Sequence, residues 1–230
     1  MWITLEYNGT ECRNTTISFR DGKGAAGVSR QPITTTTRIS EVAIDLFDRH
    51  GFEETSVDDI AAGAGIARRT LFRYFASKNA VAWGDFDVHL EQMRRLLDSL
   101  PNSLPLAEAL ATALVEFNDL PESEAPLHRR RMTLLLTVPA LQAHSMLMYG
   151  DWRQAIAGYA ARRLRGHPDE HLPQLIGWLA LGTALAAYEQ WLADDTDPSA
   201  RRLRELLVEG SSLLAVGIDA ALSRSTPAIG

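Results

Sequence analysis

Only one cysteine, Cys12, stands in 230 residues. That excludes an internal disulfide framework and a cysteine-based zinc site, and it fits a reducing cytoplasm. Positive charge is also scarce: 23 Lys and Arg against 29 Asp and Glu leave a formal net charge of -6. A chain that met nucleic acid with its whole surface would be basic, so any DNA-binding surface here must be a local patch. The first residues lack the basic start and apolar core of a secretory signal. In that setting the glycosylation-like triplets at Asn8 and Asn14 are chance matches. The most apolar segment, Leu175 to Tyr188, is shorter than the ~18 residues a membrane span requires. No alternating β-rich run and no internal repeat stands out. What these absences leave is a soluble, all-α intracellular protein, 46% hydrophobic and 23% charged, long enough for a substantial core.

Residues 1–34 show no periodicity and predict a disordered arm, with Val28 as an alternative start. A DNA-binding unit is expected over 35–80, a helical domain over 81–224 and a tail over 225–230. Ile39, Val42, Ala43, Leu46 and Phe47 make one apolar stripe at i, i+3, i+4, i+7, i+8. Thr36 or Thr37 caps that first helix, and Gly51 ends it. Ser56, with Asp59 three residues on, opens a short helix over 57–64 with a capping box. Gly65 then turns the chain into a third helix from Ala67 to Phe75. Ser77 caps again, and longer helices are predicted near 79–100, 105–119, 126–137, 140–165, 172–193 and 199–222, separated by Pro and Gly.

A helix-turn-helix needs a small residue where its helices touch and a glycine-like residue in the turn. Ala61 supplies the contact, Gly65 the turn and Leu71 the anchor, with Ile60 and Ile66 around the corner. An ordinary helical hairpin uses the same residue types. At about 100° per residue, Leu71 and Phe75 share a face with Ala67. Arg69 and Arg73 project to the opposite side with Thr70 beside them, and Arg68 and Phe72 lie on the flank. Guanidinium groups meet guanine edges or phosphates, and a hydroxyl meets either, so this face reads as a recognition surface. A merely solvated basic face is the alternative. Over 38–78 there are six cations against seven acids, yet four of the cations, Arg68, Arg69, Arg73 and Lys78, fall on or just after the third helix.

The stretch "TRISEVAIDLFDRHGFEETSVDDIAAGAGIARRTLFRYFASKNAVAWG" resembles the N-terminal domain of the TetR family of one-component bacterial repressors, over residues 38 to 84. The resemblance implies a three-helix DNA-binding domain, a larger helical ligand-binding and dimerisation domain, and no catalysis. By position it places Thr70, Phe72, Tyr74 and Lys78 where the family meets DNA, with Lys78 on a phosphate. Phe72 stands where tyrosine is usual, so a hydroxyl-to-phosphate bond is lost there. Tyr74 stands where histidine is frequent and restores a hydroxyl donor nearby. Arg69 replaces a commonly small residue and points to subfamily-specific readout. Arg68 either contacts DNA or screens the acidic pair Asp58 and Asp59. Arg30 and Arg38 add phosphate or minor-groove contacts from the arm, or contact nothing.

Further on, "SKNAVAWGDFD", "HRRRMTLLLTVPALQAHSMLMYGDWR" and "AAYEQWL" are similar to the mycofactocin-system subgroup of that family. Stripes of Phe86, Leu90, Met93 and Leu97, then Met132, Leu135 and Leu136, then Met148, Trp152, Ile156 and Tyr159 follow helical spacing. Plain core packing accounts for each. Gathered around a cavity, Phe86, Leu90, Met93, His128, Met132, Leu135, Met148 and Trp152 would instead bind an apolar effector such as an acyl chain. The run His128 to Arg131 would place cations at its mouth for a head group such as coenzyme A, although two of the three arginines read rather as a charged outer face that needs no ligand. His167 and His171 have a metal-capable spacing, but Pro168 puts them in a loop, so no metal and no cofactor is expected. Small residues Gly177, Gly182, Thr183, Ala186, Gly210 and Gly217 let helices approach closely. With Leu203, Leu206, Leu207, Leu213 and Leu214 they form, as the resemblance implies, a four-helix dimer interface; an intramolecular core is the competing view.

The expected protein is a cytoplasmic homodimer that binds double-stranded DNA at a pseudo-palindrome and is released by a small, largely apolar or acyl-CoA-like effector. Two other classes stay open: an acyl-handling enzyme, and a ligand-binding protein with a vestigial helix-turn-helix. The enzyme would need an activated nucleophile or a paired acid and base, and no such pattern is visible.

Overall fold

Side-chain capping sets where the first helices begin. In the computed structural model, which describes residues 35–225, α1 (Thr36–His50) starts at Thr35, whose hydroxyl accepts from the Arg38 amide. The predicted cap, Thr36, instead donates its hydroxyl to the Asp85 carboxylate at 2.5 Å. The arm predicted over 1–34, with Arg30, lies outside the described residues. α2 (Val57–Gly63) carries the capping box, with Ser56 and Asp59 exchanging bonds in both directions. α3 spans Arg68–Tyr74 and α4 spans Lys78–Trp83, the latter capped by Ser77 accepting from the Ala80 amide.

The long helix predicted over 79–100 is two helices. α4 stops at Gly84, with φ 66° and ψ −138°, and α5 (Phe86–Ser99) begins after Asp85. A side chain at Gly84 would meet the Ser40 hydroxyl at 3.3 Å. Ser40 is itself fully buried and donates to the Val81 carbonyl at 2.8 Å. Ser40 of α1 is thus packed against the joint.

The remaining helices are α6 (Leu106–Phe117), α7 (Ala125–Thr137), α8 (Pro139–Leu164), α9 (His171–Ala193) and α10 (Ala200–Ser225). Pro139 opens α8 at a position where its missing N–H is no loss. α9 lies between α8 and α10, α6 packs on α10, and α7 bridges α1, α4, α8 and α9. Among the described residues there is no strand. Two clusters fill the interior. One joins Ile39, Ile44, Phe47, Ile60, Leu71 and Val81 to Leu135, Leu141, Trp191, Leu203 and Leu207. The other gathers Leu90, Met93, Leu97, Leu110, Leu114, Ile156 and Ile176. The DNA-binding unit predicted over 35–80 therefore shares its core with α7, α9 and α10.

One segment departs from the reading of apolar runs: Ala200–Ser223 is long and apolar enough to pass as a membrane span by length and composition. Its hydrophobicity has two destinations. Leu203, Leu207, Leu214 and Ile218 are buried against the rest of the chain, while Val208, Leu213 and Val216 are exposed.

Candidate nucleic-acid interface and effector cavity

The helix-turn-helix closes as its residues require. Ile60, Ala61 and Leu71 are buried. The Ile66 amide donates to the Ala61 carbonyl at 2.9 Å, the bond that ends a helix through a left-handed residue. That residue is Gly65, at φ 68° with nothing crowding the missing side chain, so conformation and not space demands glycine there. On α3, Leu71 and Phe75 are inside, while Arg69, Phe72, Arg73 and Tyr74 are exposed and Thr70 is half-buried. Ala67, expected on the core face, is exposed at the N-cap.

Three predicted DNA contacts, Arg68, Lys78 and Arg38, have partners within the chain. Arg68 pairs with Asp58 at 2.6 Å and lies over the Phe72 ring, while Asp59, the other acid of the pair, is held by Ser56. Lys78, expected to reach a phosphate, donates to the carbonyls of Phe52 at 2.7 Å and Thr55 at 3.2 Å, and sits 4.1 Å from the centre of the Phe52 ring. Two of the three donors of its ammonium thus tie the loop after α1 to α4. Arg38 pairs with Glu41 at the surface. Arg69 and Arg73 remain as the outward cations of the recognition face, Arg73 lying over the Tyr74 ring.

Behind this unit lies a cavity of about 140 Å³ whose wall includes Phe86, His128, Met132, Leu135 and Trp152, as the sequence reading expected. Leu90 and Met93 do not line it; both are buried in the second cluster, where plain packing accounts for them. Met148 is half-buried and also outside the wall. The wall also includes Arg131 of the expected cationic run, and gains Trp83, His89, Asn118, Tyr149 and Tyr188, which the sequence reading did not place there. Trp83 packs edge-on against Phe86 and Tyr149, with ring centres 5.2 and 5.6 Å apart.

The three arginines of the His128–Arg131 run diverge. Arg129 caps the end of α9, donating to the Trp191, Leu192 and Asp194 carbonyls. Arg130 crosses to α1 and pairs with Asp45 at 2.6 Å and Asp48 at 3.7 Å. Arg131 lines the cavity and donates to the Ser40 hydroxyl at 3.2 Å. The expected charged outer face is therefore absent from this run: two arginines hold helices together and one faces inward.

Polar groups at the far end of the cavity form a chain. The Tyr188 hydroxyl donates to Asn118 Oδ1 at 2.9 Å, and the Asn118 amide donates to the Leu114 carbonyl at 2.7 Å. With its one proton committed, Tyr188 accepts from His128 Nε2 at 3.0 Å. Burial holds His128 well below its usual range, with Arg131 and His89 adding repulsion. It also pushes His89 down to about 4 and the Tyr188 phenol up. Both imidazoles are neutral near pH 7, so Arg131 is the charge on the wall.

α9 and α10 leave an apolar trough open to solvent, lined by Trp178, Leu179, Gly182, Ala186, Leu206, Leu213 and Val216. Eight of the predicted dimer residues, Gly182, Thr183, Ala186, Leu206, Gly210, Leu213, Leu214 and Gly217, lie there. Leu203 and Leu207 do not: both are fully buried within the chain. Gly177 and Gly210 also serve internal contacts, since added side chains would meet the Arg153 backbone and Thr183 respectively. Among the described residues no cluster of metal-ligating side chains occurs.

A helix-turn-helix with an exposed basic face, set on a helical domain that encloses a cavity, defines a one-component DNA-binding regulator. Residues 39–82 match the model of the bacterial regulatory proteins of the tetR family, and residues 104–219 match the MftR C-terminal domain. The chain belongs to the TetR family. It is 50% identical over 192 residues to the Mycobacterium tuberculosis protein named as a mycofactocin biosynthesis transcriptional regulator, MftR, covering 84% of this chain and 95% of that relative. The fold is that of a transcriptional regulator from Rhodococcus sp. Rha1, with a TM-score of 0.51 and 16% identity over 80% of this chain and 97% of that one. It is also that of Thermus thermophilus FadR, solved with lauroyl-CoA, with a TM-score of 0.52 and 24% identity over 85% and 99%. TetR regulators bind DNA and dimerise, and they are not enzymes.

Proposed function

We propose that this chain is a cytoplasmic repressor that binds a pseudo-palindromic operator as a homodimer and is released when an apolar or acyl-bearing effector enters the cavity. One observation carries the reading: Trp83 and Phe86, which flank the Gly84 joint between the DNA-binding unit and α5, are both cavity wall. An occupant touches the element that sets where α3 lies. The DNA contacts assigned to Arg69, Phe72, Arg73 and Tyr74 are supported by their exposure on one helix, with Thr70 half-buried beside them, and Lys78 and Arg38 would add backbone contacts. The homodimer is supported by the apolar trough on α9 and α10, which two copies facing each other would close into four helices. Release requires that the effector prefer the conformer in which the two recognition helices mismatch successive major grooves. Acyl-CoA is the first effector class to test, because the FadR structure of the same fold holds lauroyl-CoA. Footprinting on the DNA flanking the protein's own gene, with and without lauroyl-CoA, tests this. A two-fold symmetric footprint that the ligand erases is expected; no protected site at low salt overturns the reading.

A further inference from the structure

The cavity wall has donors without acceptors. Among the described residues, the Trp83 indole N–H and Arg131 Nε are buried with no hydrogen-bond partner. The Tyr149 hydroxyl, also buried on this wall, interacts with the Ser145 hydroxyl one turn away. All three residues line the same cavity. Buried donors are normally paired, so donors that converge on one space define the polarity of what that space takes.

The carboxamide and phenol oxygens at the far end of the wall are already engaged. Asn118 Oδ1 takes the Tyr188 proton, and the Tyr188 oxygen faces His128 Nε2. No Asp or Glu lines the cavity among the described residues. Arg131 is opposed by Glu41, Asp85 and Glu124 only through longer-range attraction, and its one short contact is the neutral Ser40 hydroxyl. A guanidinium in an apolar wall favours an anion or a strongly polarised oxygen. The rest of the wall, Phe117, Trp152, Leu181 and Leu185, is hydrocarbon.

We propose that the cavity seats the oxygen end of an acyl group, a carboxylate or an acyl carbonyl, against Arg131, Trp83 and Tyr149, with its hydrocarbon along Phe117, Trp152 and Leu181. This rests on the cavity being the effector site. A space of about 140 Å³ is close to that of an apolar cavity known to take benzene, roughly 150 Å³. A single-ring acyl group is therefore the size of probe to try first.

Calorimetric titration of the full chain with benzoate, benzoyl-CoA and toluene, in the absence of DNA, tests the proposal. Benzoate and toluene differ only in the carboxylate, and the CoA arm distinguishes a free acid from a thioester as the source of the oxygen. At least one oxygen-bearing probe should bind ten or more times tighter than toluene. Trp83→Phe and Tyr149→Phe each keep the ring and remove one donor. Each should weaken that probe by roughly threefold to thirtyfold and leave toluene unchanged. Arg131→Met should weaken it more than either; should that variant fail to fold, the two phenylalanine variants still decide. Toluene binding as tightly as both oxygen probes, equal losses for all three probes, or no binding by any of them overturns the proposal. Tight benzoate binding with no operator footprint would instead refute the repressor reading and leave this site standing.

Discussion

Replacing Gly84 by alanine tests whether the joint between the DNA-binding unit and α5 is locked. Its backbone, at φ 66° and ψ −138°, lies where L residues are rare, and such a conformation costs a non-glycine residue about 1–3 kcal/mol. The new methyl would also stand 3.3 Å from the Ser40 hydroxyl. Ser40 has little freedom to yield, because its oxygen donates to the Val81 carbonyl and accepts from Arg131. Against this, alanine narrows the unfolded ensemble and returns about 0.4–1 kcal/mol. The net expectation is a loss of about 1–2 kcal/mol in urea unfolding followed by circular dichroism, with unchanged slope. Gly150→Ala is the matched control. Gly150 lies inside α8 with nothing within 4 Å of an added side chain, so alanine there should gain about 0.5–1 kcal/mol. Opposite signs are required. A Gly84→Ala protein as stable as the parent would mean that Ser40 and the joint move freely, and the proposed route from cavity to DNA would lose its mechanical basis.

Leu207→Ala, at a fully buried position, should cost about 2–5 kcal/mol of stability. Leu213→Glu, 77% exposed on the trough, should dissociate the dimer in sedimentation velocity while leaving the protomer folded; a stable dimer would remove the trough from the interface. Lys78→Ala should lower stability through its two lost carbonyl bonds, about 1.5–3 kcal/mol, and reduce the salt slope of DNA binding by at most about one unit. A sequence-selective loss would contradict a backbone role. Arg69→Ala should relax base preference by about 1–3 kcal/mol at one operator position; uniform weakening in a binding-site selection would make it a phosphate contact. Stability should also fall on acidification. His89 is held down to about 4 and His128 well below 6.5, in each case chiefly by burial. The unfolded chain therefore binds protons that the folded chain refuses. The loss begins as pH falls below about 6.5 and continues toward 4, with a slope approaching 1.4 kcal/mol per unit for each imidazole. A urea midpoint unchanged between pH 7 and pH 5 would refute the neutral assignment.

Local chemistry was legible in the residues: the capping box at Ser56, the turn at Gly65, and the separation of Leu71 and Phe75 from Arg69 and Arg73. These depend on neighbours a few positions away. The joint at Gly84 was not, because Val81 and Ala82 run on into Phe86, Leu90 and Met93 with nearly unbroken apolar spacing. The helix ends where Gly84 turns left-handed, with Ser40 brought against it from α1. Periodicity on α10 likewise shows that its faces are apolar but not what covers each. Leu203 and Leu207 turn inward, while Leu213 turns out. Lys78 reads as charge in sequence, whereas its position under the Phe52 ring and carbonyl is tertiary. The arginine run held a clue that was available. Successive helical residues point about 100° apart, so three consecutive arginines cannot form one patch.

That divergence of Arg129, Arg130 and Arg131 suggests how effector size becomes a signal on the proposed reading. Arg130 holds α7 to Asp45 of α1, and Arg131 meets Ser40 one turn earlier on the same helix. A group that fits about 140 Å³ fills the cavity and leaves both links in place. A long acyl chain does not fit. Packed interiors yield by discrete shifts of helices and not by gradual compression, and the part of the wall that adjoins the joint is Trp83 and Phe86. Moving them displaces α4, and with it the recognition helix. A ligand that binds the displaced conformer a hundredfold better shifts the balance by about 2.7 kcal/mol, and one with no preference shifts nothing. Binding and release should therefore separate along a series of acyl chains. The shortest should bind without freeing DNA, and release should set in at the length that no longer fits between Trp83 and Trp152.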